Sequence, residues 1–434
     1  MGSFAPDIDF GKLAKAGIEK SQFGHRFVYR YPESKDMPAL DTLELAKGIA
    51  GKKHKSIAFY FHIPFCSRLC GFCHYYKERG CSQKNIEKFT LYMEKEVAAY
   101  RNLAGGNPKI ESVLFGGGTP TLLGEKELAE LLSFFSGLFP LKHGAEVSIE
   151  SSPETLSQKK LSALRGAGFN RLSIGVQDFS PAIIRAGGRA HSTGQAEKAV
   201  EIARGAGFDN INLDLIYGMP GQSTGQWEKT LEKTLALGAE SITASDLRVQ
   251  EGTAFFSLGR ALFPSVREMA EMYYCFVEKC AAAGYVQQFP YQFVRKGKEM
   301  RFLENQWSSG EFLGIGPSGC SFISDWDYNN AFPLGDFFGA VERNGISAAL
   351  GKKLSDEELM RRFAALGLKR SGANTKNGID KGEFKRRFGR SMDSIFAAQI
   401  GELEKLGLIE ENSSAIKLSR IGLFFHDEAA RKFF

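Results

Sequence analysis

Three cysteines, Cys66, Cys70 and Cys73, fall within the segment Cys66-Ser-Arg-Leu-Cys70-Gly-Phe-Cys73. Thiolates are soft ligands that select zinc or iron–sulfur centres. A structural zinc site takes four ligands, usually as two separated pairs. Here there is one trio and no second pair, with His62 and His74 as the residues that could complete a zinc site. Catalytic zinc lacks a nearby His-x-Glu partner. An iron–sulfur cluster normally takes four cysteines, and three leave one iron open to bind and activate a substrate. The plain alternative is a set of buried structural thiols, since free cysteine is commonly buried. Spacing this tight, at a strand-to-loop junction, speaks against it.

Other residues could serve chemistry beside that trio. Phe115-Gly-Gly-Gly-Thr119-Pro follows a candidate strand. A glycine run lets backbone amides approach a ligand and bind an anion, and it is equally a tight turn. It is not a Walker loop, because no Gly-Lys-Ser/Thr follows. Glu150 and Gln177 end candidate strands, where polar residues are ordinary rim residues or ligand contacts. Asp214 sits inside an apolar strand, where a carboxylate is costly unless partnered. A buried arginine is the structural alternative there.

The elements that must carry these residues form a rhythm. From Ser56, short β-branched and aromatic runs alternate with longer amphipathic stretches, the mark of βα units and a parallel sheet. Strands are expected at Ile57–Ile63, Ser112–Gly116, Glu146–Glu150, Arg171–Gln177, Asn210–Tyr217 and Ser241–Leu247. Helices are expected at Lys84–Tyr100, Glu125–Gly137, Ser157–Gly166, Gln195–Gly205 and Thr224–Gly238, with Gly168 and Gly207 as C-terminal stops. Six units are too few for a closed eight-stranded barrel. The fold class is α/β, a partial (β/α)6 barrel with its ligand at the C-terminal strand ends. Residues 1–55 read as an N-terminal extension, 56–259 as the barrel, and 260–350 as an aromatic-rich region that completes it. Residues 351–434 read as a winged-helix-like domain, with helices at Glu357–Leu368, Lys381–Phe388 and Ser394–Leu406 and a terminal hairpin.

Composition limits the alternatives. The chain has 434 residues, 43 % apolar and 24 % charged, as in a globular protein with a real core. Its 36 phenylalanines are chiefly core, a minority lining an apolar pocket. The net charge of +6 comes with no dense Lys/Arg block, which disfavours nucleic acid. No signal peptide and no uninterrupted apolar span is evident. Seven cysteines, an odd number clustered early, do not read as a disulfide framework, so the expected setting is the reducing cytoplasm.

Cys-x-x-x-Cys-x-x-Cys after the first strand resembles the radical S-adenosylmethionine (SAM) superfamily. Four ordered segments sharpen the resemblance: Tyr60-Phe-His-Ile-Pro-Phe-Cys66, Gly116-Gly-Gly-Thr-Pro-Thr121, Ser173-Ile-Gly-Val-Gln-Asp-Phe179 and Asn212-Leu-Asp-Leu-Ile-Tyr-Gly-Met-Pro-Gly221. They are similar to the oxygen-independent coproporphyrinogen III oxidase family, which also holds haem chaperones, anaerobic haem-degrading methyltransferases and class C radical SAM methyltransferases. The resemblance runs from about Tyr60 to the C-terminus. It implies a 4Fe–4S cluster on Cys66, Cys70 and Cys73, whose open iron binds the amino and carboxylate groups of SAM. One-electron reduction, from a donor such as flavodoxin or ferredoxin, then gives a 5′-deoxyadenosyl radical. It implies that Gly117, Gly118 and Thr119 receive the SAM amino group and that Glu150 bonds the SAM ribose. Tyr60 and Phe72 would pack near that SAM, and Cys320 would line its site. Gln177, Arg189 and Asp214 would form a second-SAM or substrate site.

The resemblance departs at two places. The oxidases carry a cysteine two residues after the third, where this chain has Tyr75. Haem chaperones carry His-Asn-x-x-Tyr-Trp, where this chain has Phe302 for the histidine and keeps Trp307, with Asn305 out of register. Phe302→His is expected to strengthen haem binding if that site is used. Leu366-Gly-Leu-Lys and Phe384–Gly389 still look chaperone-like. The leading expectation is class C methyl or methylene transfer with a second SAM, to a small aromatic or porphyrin-like substrate. The alternatives are coproporphyrinogen III oxidation and a haem-carrying protein without catalysis.

Overall fold

Six parallel strands form the centre of the molecule: β1 (Ala58–Ile63), β2 (Ile110–Gly117), β3 (Leu141–Ser151), β4 (Arg171–Gln177), β5 (Ile211–Tyr217) and β6 (Ser241–Asp246). They pair in chain order, each parallel to the next. The computed structural model describes residues 3–24, 27–372 and 378–434. Helices Gln83–Leu103, Glu125–Leu138, Gln158–Ala167, Thr193–Gly205 and Thr224–Ala236 join the strands. The third strand is longer than its apolar run suggests, because it begins in the exposed stretch Leu141–Gly144.

Local chemistry explains the helix limits. Ser192 with Gln195, and Ser223 with Gln226, close reciprocal capping boxes at two helix starts. Gly168 takes φ 113° at the end of Gln158–Ala167, a conformation that favours glycine. Phenylalanines fill the layer between sheet and helices. Phe61 stacks on Phe115 at 4.5 Å, and Phe59 meets Phe135 at 4.7 Å.

The sheet does not stop at six strands. Phe312–Ile315 adds a seventh parallel strand beside β1, and antiparallel strands Cys320–Ile323, Trp326–Asn330 and Ala348–Lys353 extend that edge. Gln292–Val294 pairs antiparallel with β6 at the other edge, and Val286–Phe289 pairs antiparallel with it in turn, making twelve strands among the described residues. The N-terminal segment covers the edge at Ala348–Lys353, where Leu40 N–H donates to Ala349 O (2.8 Å) and Gly351 N–H to Pro38 O (2.9 Å). Covering an edge removes a template for aggregation.

Toward the C-terminus, helices Asp356–Leu368 and Lys381–Phe388 form as the spacing predicts. The third does not: it is split into Met392–Ile395 and Ala397–Lys405. The break falls at Phe396, which leaves helical conformation to pack its buried ring against Phe433 and Phe384. The terminal hairpin gains Ile379–Asp380 as a third strand. No helix among the described residues is long and apolar enough to cross a membrane.

Candidate functional site

The C-terminal ends of β1 to β4 surround a cavity of about 150 Å³, and all three motif cysteines stand in its wall. Cys66 is buried at the end of the short strand Phe65–Cys66, while Cys70 and Cys73 are half-buried in the loop beyond it. Each is held by a different neighbour. Thr119 Oγ1 donates to Cys66 Sγ (3.8 Å), Arg189 Nη1 to Cys70 Sγ (3.6 Å), and Lys77 Nζ to the Cys73 carbonyl (2.6 Å). Burial pushes the Cys66 thiol up to about 11 and raises Cys73 as well, which Lys77 partly offsets. A metal would have to displace those protons. Among the described residues no three His, Cys, Asp or Glu side chains gather closely enough to hold one ion. The thiols line one chamber without converging on one point, as a cluster that spreads its ligands over several irons requires. The donor set therefore fits a 4Fe–4S cluster.

The glycine run works differently from an anion cradle. Gly117 N–H donates to Glu150 Oε2 (3.1 Å), Gly118 N–H to Ile63 O (2.8 Å) and Thr119 N–H to Phe65 O (2.7 Å). All three amides are engaged inside the protein, which corrects the expectation that they bind an anion. The need for glycine is steric. A Cβ on Gly118 would lie 2.6 Å from the carbonyl oxygens of Pro64 and Phe65. What such a segment can offer an ammonium group is carbonyl oxygen.

A second cavity of about 330 Å³ adjoins the first and shares Phe72, Cys73, Thr119, Gln177 and Arg189 with it. Glu150 and Asp214 line its floor, Phe27, His74 and Tyr75 stand in its wall, and Asp246 and Arg248 complete it at the end of β6. Gln177 ends β4 at φ 67°, an unusual conformation for a non-glycine residue, beside a register shift against β5. Bulges and strained residues of this kind re-aim side chains at functional sites. Arg189 Nη2 donates to Ser152 Oγ (2.8 Å) and to Gly175 O (2.5 Å), which fixes its guanidinium between the two chambers.

Among the described residues Asp214 has no ion-pair partner within 4 Å. Its carboxylate accepts from Ser173 Oγ (2.5 Å) and Asn212 Nδ2 (2.8 Å). Burial raises its pKa against those bonds and against the charge of Arg171. Arg171 is itself buried and bonded by Ser148 and Ser241. Glu150 is pushed up to about 7, first by burial and then by the charge of Asp214. Two carboxyl groups with raised pKa values in one cleft are a mark of function.

Two expected residues fall outside both cavities. Tyr60 packs by Glu150 beneath Gly116 and bonds His62 Nδ1 (3.1 Å). Cys320 begins its strand beside the cluster of Phe302, Phe312 and Tyr60. His62 is buried against the Tyr76 carbonyl (3.1 Å), and burial lowers it to about 4. Phe302 is core, 4 % exposed, in the same apolar cluster. Trp307 bonds Tyr291 Oη (3.0 Å), and Asn305 bonds Glu311 O (3.0 Å). Lys77, Ser152, Glu154, Asp246 and Arg248 line the cavities without having been singled out from sequence. For Ser152, Glu154, Asp246 and Arg248, a position at or just beyond a strand end, where this fold class places ligands, is the signal that could have found them; Lys77, at the far end of the cysteine loop, carries no such signal.

Residues 60–234 match the radical SAM superfamily, and residues 354–425 match the HemN C-terminal domain. The chain is 31 % identical over 374 residues to the haem chaperone HemW of Bacillus subtilis, covering 85 % of this chain and 97 % of that protein. It is 25 % identical over 409 residues to the oxygen-independent coproporphyrinogen III oxidase of Synechocystis sp., covering 87 % and 85 %. The solved structure of Escherichia coli coproporphyrinogen III oxidase (HemN), described as a radical SAM enzyme, covers 98 % of both chains with a TM-score of 0.84. At 23 % identity that likeness establishes the shared fold.

Proposed function

The chain belongs to the oxygen-independent coproporphyrinogen III oxidase-like family of the radical SAM superfamily, and we propose that it handles a tetrapyrrole, carrying haem as the haem chaperones do. The carrying observation is the second chamber. Phe27, Phe72 and Tyr75 give it aromatic walls, and Arg189 gives it a guanidinium group, while the neighbouring Arg248 is engaged by Asp246, Asp427 and Glu428. A flat macrocycle with carboxylate side chains needs that pairing of ring faces and a cation.

Cys66, Cys70 and Cys73 would hold the 4Fe–4S cluster that the family implies. Phe72, Gly117, Gly118, Thr119 and Glu150 would shape the SAM site, with Glu150 accepting from ribose hydroxyls. The bound cluster and SAM supply an electron and a carbon-centred radical. Gln177 and Arg189 stand between that site and the second chamber, and Asp214 presents a carboxylate from its floor. A soluble one-electron donor of the flavodoxin or ferredoxin kind belongs to this reading.

Coproporphyrinogen oxidation is the second reading, favoured by the same chamber and by the oxidase relatives. Class C methyl transfer rests only on Gln177, Arg189 and Asp214 as a second-SAM site. The similar proteins named above carry chaperone and oxidase names, which moves the weight to the two alternatives. One set of anaerobic incubations separates the three. Haem titration is expected to give a saturable Soret band at one haem per chain. Carbon dioxide from coproporphyrinogen, with SAM and reductant, would replace carriage by oxidation. S-Adenosylhomocysteine formation would restore methyl transfer. Absence of a Soret band removes the carrier reading.

A further inference from the structure

The cysteine chamber carries an excess of fixed positive charge. Among the described residues Arg68, Lys77 and Arg189 line it, against the single carboxylate of Glu154. That carboxylate is already engaged by Ser67 Oγ (3.3 Å) and Ser152 Oγ (2.5 Å). Two of the three cations touch the cysteine loop itself. Arg189 donates to Cys70 Sγ at 3.6 Å and is fixed from behind by Ser152 and the Gly175 carbonyl. Lys77 bridges the carbonyls of Cys73 (2.6 Å) and Tyr75 (3.2 Å). It therefore clamps the loop and sets an ammonium beside the last cysteine.

Resting on the cluster reading above, we propose that Lys77 and Arg189 set the reduction potential of the iron–sulfur centre. Three thiolates make that centre anionic, and the electron that activates it adds more negative charge. Hydrogen bonds to ligand sulfur and nearby cations stabilise the reduced form and raise the potential. Arg189 supplies both effects at Cys70, and Lys77 supplies the charge at Cys73. In a chamber partly shielded from water, such charges act more strongly than at a surface. Toward the cluster these are positioning and electrostatic roles, additional to the contact with SAM or substrate proposed above for Arg189.

The test uses the full chain reconstituted with iron and sulfide, without SAM. Iron and sulfide content and the reduced-state EPR signal report the cluster. An EPR-monitored redox titration reports its midpoint. Lys77→Met and Arg189→Gln are each expected to shift the midpoint to more negative values, and the double variant further. Lys77→Arg and Arg189→Lys are expected to stay closer to the parent chain. Unchanged midpoints in the charge-removing variants, at full iron content, overturn the proposal. If Lys77→Met loses iron, the Arg189 variants decide, because they leave the Lys77 clamp in place. A parent chain that binds no iron would instead sink the cluster reading.

Discussion

Lys20 Nζ lies 3.0 Å from Asp246 Oδ2, and neither side chain reaches solvent. Lys20 comes from the N-terminal segment and Asp246 from the end of β6. The C-terminal segment joins them: Arg248 contacts Asp246 (2.8 Å), Glu428 (3.2 Å) and Asp427 (3.5 Å), and Lys369 pairs with Asp427. Three buried cations balance three buried carboxylates, while burial holds His426 neutral with a pKa of about 4. Asp246 and Arg248 also line the second chamber. This cluster ties the N-terminal and C-terminal segments to the wall of the second chamber.

Removing one member should be costly, because it strands a buried charge. Lys20→Met is expected to lose about 3–5 kcal/mol of unfolding free energy, measured by urea denaturation. Lys20→Met with Asp246→Asn should recover part of that loss. A loss below about 1 kcal/mol for Lys20→Met would mean that water reaches the cluster and that it does not lock the ends together.

Glu150 links pH to both stability and binding. Its carboxyl is pushed up to about 7, with burial the first cause, from an ordinary value of 4.5. Between those values the folded chain holds a proton that the unfolded chain releases, so stability is highest at low pH within this window. It falls as pH rises through 7, by roughly 3 kcal/mol for a shift of that size. Glu96, buried under the Gly316 and Ser347 amides and also near 7, acts in the same direction. Glu150→Gln should flatten part of the stability profile between pH 5 and 8. SAM binding should run the other way, strengthening as Glu150 ionises and can accept from the ribose. Parallel pH profiles for stability and SAM affinity would contradict that role.

The barrel was legible because its pattern is local. Each βα unit shows its own apolar run, three of the helices (Gln158–Ala167, Thr193–Gly205 and Thr224–Ala236) add a serine cap and a glycine just past the end, and the cysteines stand just after the first strand. What was not legible depends on distant partners. Phe312–Ile315 is a short apolar run until it pairs with Ala58–Phe61, over 250 positions earlier in the chain. Lys20 looks like any lysine until Asp246 and Glu428 surround it. The glycine run misled because its amides are satisfied by β1, its loop and Glu150, which no spacing rule reveals. Phe396 breaks a helix that its own neighbours favour, because Phe433 draws its ring inward.

Gly175 should prove essential to the site and minor for the fold. A Cβ there would meet Gln177 Nε2 at 2.9 Å and Arg189 Nη2 at 3.2 Å. Both are ends of flexible side chains, so the clash is relieved by moving them. Gly175→Ala is expected to change unfolding free energy by less than about 1 kcal/mol, since surrounding packing is unchanged. SAM affinity should fall about ten-fold or more, about 1.4 kcal/mol, measured by calorimetry. Unchanged affinity would remove Gln177 and Arg189 from the binding site.

Haem ligation offers the sharpest contrast between sequence register and spatial position. Phe302 occupies the place of the chaperone histidine in the chain, but its ring is packed among Phe312, Phe322, Met300 and Leu114, away from both chambers. Phe302→His would bury an imidazole in apolar surroundings, at a cost of about 3 kcal/mol, without presenting it to a ligand. That corrects the expectation that this change strengthens haem binding. His74 is the histidine in the chamber wall, with its ring 4.4 Å from that of Tyr75. Imidazole and phenolate both serve as axial ligands to haem iron. His74→Ala is therefore expected to shift the Soret maximum and weaken haem binding at least ten-fold, with thermal stability nearly unchanged. Phe302→His should leave the Soret maximum in place while lowering stability. The opposite pattern, a new band from Phe302→His and none lost from His74→Ala, would place haem outside the second chamber.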